Sequence, residues 1–254
     1  MLRTDGISFG ECSVCCGRSR SICNAIDEKD LPVLLAESSR LHLSSGRIFI
    51  EESEPAVAFY VIAEGQAKLF NLLPDGRRQI TGFAMTGDFL GLAASERYAF
   101  SAESLGEIRL CRFAYENMDR LTERFPQLQK RLRMEASREL VKVQGRLILL
   151  GRKSARERLA SFFMEQAESA QIVSGKFCPL TEAEGAGNQT DSSGITLYLP
   201  MSRTDVADYL GLTIETVSRT LKIFKDEGLI RVEDVKSITV LNSARMAHIA
   251  EGNG

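Results

Sequence analysis

The 254-residue chain has no tryptophan, only two histidines (His42 and His248) and only six prolines. It also has no apolar run approaching the ~20 residues that a membrane-spanning helix needs, so no such span is expected. Neither a Gly-x-Ser-x-Gly elbow nor a Gly-x4-Gly-Lys-Ser/Thr phosphate loop occurs. No nucleophile–base set can therefore be assembled, and an enzyme is not expected. Residues 1–11 lack the long apolar stretch of a signal peptide, which makes the cytoplasm the expected compartment. Asn188-Gln189-Thr190 matches a glycosylation acceptor but carries no meaning without secretion.

What is present is unevenly distributed. The net charge of −2 hides a basic block: residues 124–158 hold eleven Lys and Arg against three Asp and Glu, while the segments on either side are acidic. Such a block can steer a protein towards nucleic acid, or it can be the solvated face of a long helix. Charge alone does not choose between them.

Four segments can be read. Residues 1–29 are polar and rich in cysteine. Residues 30–123 carry short apolar runs, such as Phe59-Tyr-Val-Ile62 and Ala67-Lys-Leu-Phe70, punctuated by glycine and by the Asp75-Gly76 hairpin signal. This pattern predicts an antiparallel roll or barrel. Residues 124–152 change to helical period: Ala136, Leu140, Val143, Leu147 and Leu150 are spaced 4-3-4-3 along one seam, with Gly151 as the expected stop. The seam suits either a dimer interface or packing within its own domain. Residues 153–254 open with a second amphipathic helix over 156–170, followed by a stretch at 181–194 with no apolar side chain larger than alanine, which reads as a flexible surface loop.

Beyond that loop the local signals converge. Ile195 to Leu199 alternates as a strand; Ser202, with Asp205 three residues on, predicts a capped helix ended by Gly211. Thr213 then caps a second helix, with Val217, Leu221 and Phe224 as its buried stripe and Gly228 as its stop. Two short strands follow, at residues 229–232 and 238–241. Helix, glycine turn, helix and hairpin together predict a winged helix-turn-helix that binds double-stranded DNA. Glu215, Ser218 and Arg219 stand at i, i+3 and i+4 and project together near the start of the second helix. Glu can accept from cytosine N4, Arg can grip guanine O6 and N7, and Ser can serve either role. Thr213 and Thr216 lie at the same end, and Lys222 and Lys225 are placed for phosphates. The plain alternative is a solvated helix face with a Glu–Arg pair.

Four of the six cysteines fall within twelve residues: Cys12, Cys15, Cys16 and Cys23. Such clustering in a cytosolic protein argues for metal chemistry rather than disulfides. Cys12-x2-Cys15 places two thiolates a turn apart, Cys23 can loop back, and Cys111 can add a fourth from the strand-like residues 108–113. Four thiolates suit zinc or a [4Fe–4S] cluster, and spacing does not separate the two. Cys16 competes with Cys15 as a ligand. Cys178 reads as an ordinary thiol.

The run Leu210-Gly-Leu-Thr-Ile-Glu-Thr-Val-Ser-Arg219 resembles the recognition region of the CRP/FNR superfamily of transcription regulators, and its Glu-x-x-Ser-Arg pattern resembles the FNR branch. Thr81-Gly82-Phe83 with Gly87-Asp88, and Ala155-Arg-Glu-Arg-Leu-Ala160, are similar to that branch as well. The resemblance implies an α+β chain: a cyclic-nucleotide-binding-like β-roll, a long dimerisation helix and a winged helix-turn-helix. It also implies an oxygen-labile [4Fe–4S] cluster on Cys12, Cys15, Cys23 and Cys111, and a homodimer on a site like TTGAT-N4-ATCAA. RNA polymerase is implied as a further partner, through residues 75–78 and 93–98. A cyclic-nucleotide-responsive regulator remains as a rival. It would use a carboxylate and an arginine, for which Gly87-Asp88 and Arg97 come near. A zinc-stabilised regulator without redox sensing is another.

Overall fold

The structure, a computed structural model, describes residues 12, 15–92, 96–174, 190–191 and 194–253. Cys178, residues 93–95 of the expected polymerase surface, and residues 181–189 and 192–193 of the expected loop lie outside them. The chain forms two compact units, Met1–Val141 and Lys142–Gly254.

Among the described residues the first unit is built on eight strands: β1 (Ser38–Leu43), β2 (Ile48–Ile50), β3 (Ala58–Glu64), β4 (Gln66–Leu72), β5 (Arg78–Met85), β6 (Phe89–Leu90), β7 (Ser101–Ser104) and β8 (Ile108–Ala114). They form two antiparallel sheets, ordered β1-β8-β3-β6 and β2-β7-β4-β5. Gly76, at φ +82°, closes the β4–β5 hairpin where the Asp-Gly signal lies. Between the sheets Leu41, Ile50, Tyr60, Ile62, Ala67, Leu90 and Leu110 make one core. Strand side chains alternate between faces, so Phe59, Val61, Cys111 and Phe113 of β3 and β8 turn the other way. That outer face is buried too. It packs on Ile22 and Ile26 of the N-terminal segment, Leu31 and Leu34 of α1 (Leu31–Ala36), Leu121 of α2 (Tyr115–Arg124) and Leu128 of α3 (Pro126–Arg152). A continuous run such as Phe-Tyr-Val-Ile is what a strand buried on both faces requires.

Helix α3 continues one residue past Gly151, and that glycine is not left-handed. The expected stop is corrected to Arg152. Glycine weakens a helix end without being forced to break it.

In the second unit α4 (Ala155–Ser174) carries Leu159, Phe162 and Phe163 into the core. The unit's sheet has the order β11 (Ile230–Val232), β12 (Ser237–Val240), β10 (Gly194–Tyr198), β9 (Thr190–Asp191). Helices α5 (Arg203–Leu210) and α6 (Ile214–Asp226) form the helix-turn-helix. A last helix, α7 (Ser243–Ala250), packs on α4; the sequence reading did not anticipate it, although Asn242 caps it by accepting from the Arg245 N–H.

Arg156 of α4 holds the end of α6 by paired bonds to Glu227 of 2.6 and 2.7 Å, with its guanidinium over the Phe224 ring. The Arg156 bond keeps the Glu227 carboxyl below its ordinary pKa of 4.5. A depressed carboxylate stabilises the fold above its unfolded pKa and loses that contribution as the pH falls through its folded value. Glu227→Gln is therefore expected to lower the melting temperature at neutral pH, with a gap to the parent that narrows below about pH 4. A gap of constant size across that range would assign the effect to packing instead.

Candidate nucleic-acid interface and thiol cluster

The helix-turn-helix is shaped by its caps. The Ser202 hydroxyl accepts from the Asp205 N–H at 3.0 Å, and the Asp205 carboxylate accepts from the Ser202 N–H at 2.9 Å, closing a capping box. Gly211 leaves α5 at φ +60°. There a side chain is strained, and a Cβ would stand 3.4 Å from Leu150 Cδ2. The Thr213 hydroxyl accepts from the Thr216 N–H at 3.2 Å and starts α6.

Val217, Thr220 and Phe224 face inward from α6. Leu221, expected in that stripe, is half-buried, and Thr220 takes the interior place by donating to the Thr216 carbonyl. Thr213, Glu215, Arg219 and Lys222 are exposed, while Thr216 and Ser218 are half-buried. Glu215, Ser218 and Arg219 thus share the outward face of α6, as their spacing predicts. The Glu215 carboxylate accepts from its own N–H and the Thr213 hydroxyl and lies near Arg219, which together hold its pKa below the usual carboxylate range. It stays an acceptor at neutral pH. A cleft of about 270 Å³ between α4, α6 and the β11–β12 wing is rimmed by Arg203, Lys222 and Lys225. The cations beside it, not its apolar interior, are the groups that could meet backbone phosphates.

Three arginines fix this module. Arg158 of α4 donates to the Leu150 and Lys153 carbonyls and to Leu210 at the helix-turn-helix turn, all at 2.9 Å. Arg146 of α3 lies 3.8 Å from the centroid of the Tyr209 ring and donates to the Tyr209 carbonyl. It therefore serves α5 rather than the apolar seam. With Arg156, these residues make the end of α3, α4 and the recognition helix one bonded assembly. The Ala155–Ala160 motif was the only sequence signal for two of them.

The seam itself is open. Ala136, Leu140, Val143 and Leu147 are exposed, with Leu147 at 70%, while Leu150 is partly covered by the Gly211 turn. Met134, Val141 and Ile148 are exposed beside them, so the apolar face is broader than the five expected positions. An apolar stripe of this extent marks a surface awaiting a partner.

At the other site, Cys12, Cys15, Cys23 and Cys111 all carry free thiols. Cys23 lies in a 3-10 turn (Ile22–Ala25) capped by Ser21, whose hydroxyl accepts from the Cys23 N–H at 3.2 Å. Cys12 and Cys23 pack on the same apolar cluster as Cys111. Burial pushes the Cys12 thiol up to about 11 and those of Cys23 and Cys111 up to about 12; it raises Cys15 as well. Cys12 is raised further by Cys15, Cys23 by Cys15 and Cys12, and Cys111 by Cys23, Cys15 and Cys12. Arg18, near Cys12 and Cys15, and Arg40, the cross-strand partner of Cys111, oppose the shift. Thiols from both ends of the unit thus lie about one low-dielectric patch, Cys12 and Cys23 against the apolar cluster of Cys111 and Cys15 near them. They become thiolates there only if a cationic centre compensates the charge. Among the described residues no three His, Cys, Asp or Glu side chains are gathered to hold a single ion. Cys16 lies in the same loop as a neighbour of the set.

The would-be cyclic-nucleotide contacts are engaged otherwise. Asp88 pairs with Arg20 at 3.5 Å and accepts from the Met85 N–H, while Arg97 donates to the Ser53 carbonyl at 2.5 Å. Tyr98 fills the roll, donating to the Ala58 carbonyl at 2.5 Å. Among the described residues no helix is long and apolar enough to cross a membrane.

Residues 157–249 match the Crp-like helix-turn-helix domain model, and residues 40–125 match the cyclic nucleotide-binding domain model. The nitrogen fixation regulation protein FixK of Bradyrhizobium diazoefficiens is 40% identical over 239 residues, covering 94% of this chain and 93% of the relative. The transcriptional activatory protein AadR of Rhodopseudomonas palustris is 38% identical, covering 91% and 92%. The transcriptional activator protein anr of Pseudomonas aeruginosa is 32% identical over 83% and 80%. Among solved structures, FixK2 from Bradyrhizobium japonicum superposes with a TM-score of 0.71 at 27% identity, over 84% of this chain and 96% of that one.

Proposed function

The chain belongs to the CRP/FNR family of DNA-binding transcription regulators, and on that footing we propose that it is a dimeric activator whose pairing is governed by a [4Fe–4S] cluster on Cys12, Cys15, Cys23 and Cys111. The observation that supports the reading is the packing of half-buried Cys12 and Cys23 with buried Cys111 on the outer face of the β1-β8-β3-β6 sheet, with Cys15 close enough to raise the Cys111 and Cys23 thiols. When bound, a cluster supplies the positive charge that holds four thiolates and a core that oxygen dismantles.

The chain's own residues do the rest. Ser21 and the 3-10 turn hold Cys23 towards Cys111, tying the N-terminal segment to the sheet that also seats Leu128 of α3. The seam from Ala136 to Leu150 pairs two subunits, and Arg146 and Arg158 carry that geometry to the helix-turn-helix. Two copies of Glu215, Ser218 and Arg219 then read half-sites one helical turn apart, as in a TTGAT-N4-ATCAA inverted repeat. Were the N-terminal segment no longer held to the sheet by its thiolates, the dimer population would fall and DNA would be released by mass action. AadR and anr are transcriptional activators, and by likeness to them this chain activates too, with RNA polymerase contacted through residues 75–78 and 93–98.

Purification without oxygen, with iron and sulfide counted and the visible spectrum followed as air enters, tests the reading. Brown protein with about four irons per chain that bleaches in air is the expected result. Colourless protein with stoichiometric zinc ends it. On the DNA side, Glu215→Ala is expected to relax preference at one base pair of each half-site by about 1–3 kcal/mol, read from competition binding. Unchanged preference would remove Glu215 from the reading set.

A further inference from the structure

Between Cys15 and Cys23 the chain lies flat on the β-roll. Gly17 approaches so closely that a Cβ there would stand 2.9 Å from the Ile62 carbonyl and 3.1 Å from the Gly87 N. Arg20 crosses Gly87 and pairs with Asp88, so its backbone carbonyl is held in a fixed place. Onto that carbonyl comes Arg131 of α3, whose Nη2 donates to the Arg20 oxygen at 2.5 Å across 111 residues of sequence.

The guanidinium is held there at a cost. Its side chain is 19% exposed, and among the described residues its buried Nε–H finds no hydrogen-bond acceptor. Glu135 Oε1 stands 2.9 Å away as a charge neighbour without bond alignment, and Arg138 bonds that same carboxylate at 2.8 Å. An apolar residue beside Leu128 and Leu132 would avoid the unmet donor. Besides its ion pair with Glu135, what the arginine supplies at this position is reach to the cysteine loop.

We infer that Arg131 is the positioning residue through which α3 reads the state of the Cys15–Cys23 loop. The inference rests on the proposed cluster, whose ligands bracket the Arg20 carbonyl. While the loop is anchored by its thiols, the carbonyl sits in place and clamps the first turns of α3, five residues before the seam begins at Ala136. Once the loop is released, Arg131 loses its acceptor and the seam loses its fixed end.

The test uses the full chain, loaded with its cluster without oxygen and again after exposure to air. Arg131→Met keeps the packing volume and removes the donors. Iron, sulfide and the visible spectrum are expected to match the parent, while the dimer dissociation constant of the loaded protein rises about tenfold or more, as for loss of one charge-assisted bond. Air-exposed parent and variant are expected to dimerise equally weakly. Arg131→Lys is expected to fall between the two, and Arg138→Met, which leaves the Arg20 contact intact, to behave as the parent. A variant that weakens loaded and air-exposed dimers alike makes Arg131 a mere helix residue and overturns the inference, as does an unaltered loaded dimer. Parent protein without iron overturns both this inference and the proposed cluster, and the iron count separates that case from failure at Arg131 alone. Should Arg131→Met not fold, the Lys variant carries the same comparison.

Discussion

Cys111→Ala is expected to take the anaerobic protein from about four irons per chain to almost none while leaving the β-roll folded. Cys111 projects from the outer face of β8 among Ile22, Phe59, Phe113 and Leu128, where its sulfur is nearly closed to solvent. Alanine keeps that surface apolar. Serine removes the ligand as well, but also leaves a hydroxyl without a partner, at about 1–3 kcal/mol. The alanine form therefore isolates the ligand and the serine form adds a folding cost. Without the fourth thiolate the loop at Cys12–Cys23 loses its thiol tie to the sheet, so both variants are expected to be monomeric without oxygen. One half-site contact cannot replace two, and binding to the full inverted repeat should fall by roughly 10²–10⁴-fold. Iron analysis, sedimentation and gel shift under nitrogen check the three steps in turn. Alanine protein with a full complement of iron and unchanged DNA binding would remove Cys111 from the ligand set and, with it, the link between segment and sheet.

The helix-turn-helix was legible almost residue by residue because its determinants are local. A cap and its partner stand three positions apart, and Gly211 must be left-handed where the chain turns. The roll was legible in class, since glycine and Asp-Gly turns are also local signals. Its second buried face was not, because Phe-Tyr-Val-Ile reads the same whether one side or both are covered. The cysteines were visible as a cluster, yet Cys111 stands 88 residues from Cys23, and only strand alternation puts it on the face where the others lie. Least legible were the arginines. Arg131, Arg146 and Arg158 look like part of a solvated basic stripe, and their long side chains end on backbone carbonyls that no periodicity can point to. The basic block of residues 124–158 is thus in part structural wiring, not only a field for DNA.

Leu147→Asp is expected to abolish the dimer whether or not the thiol site is loaded. Leu147 is the most exposed large side chain of the α3 seam, lying between Val143 and Leu150, with Leu140 and Ile148 widening the same face. In a symmetric pair each seam meets its own copy, so one substitution introduces two like charges into a single apolar contact. An uncompensated buried charge costs about 3–5 kcal/mol, before the repulsion between the two copies is added. Since each 1.4 kcal/mol is a factor of ten, dimerisation should weaken by at least about 10²–10³-fold. The thiol patch lies on the β-roll and does not involve this residue, so iron content should be unchanged. Here the variant parts from Cys111→Ala: full iron with no dimer, against no dimer for want of iron. Sedimentation of the anaerobic, loaded protein decides it. A stable Leu147→Asp dimer would mean that the exposed stripe packs against something other than its twin, and the route from thiols to DNA would have to leave α3.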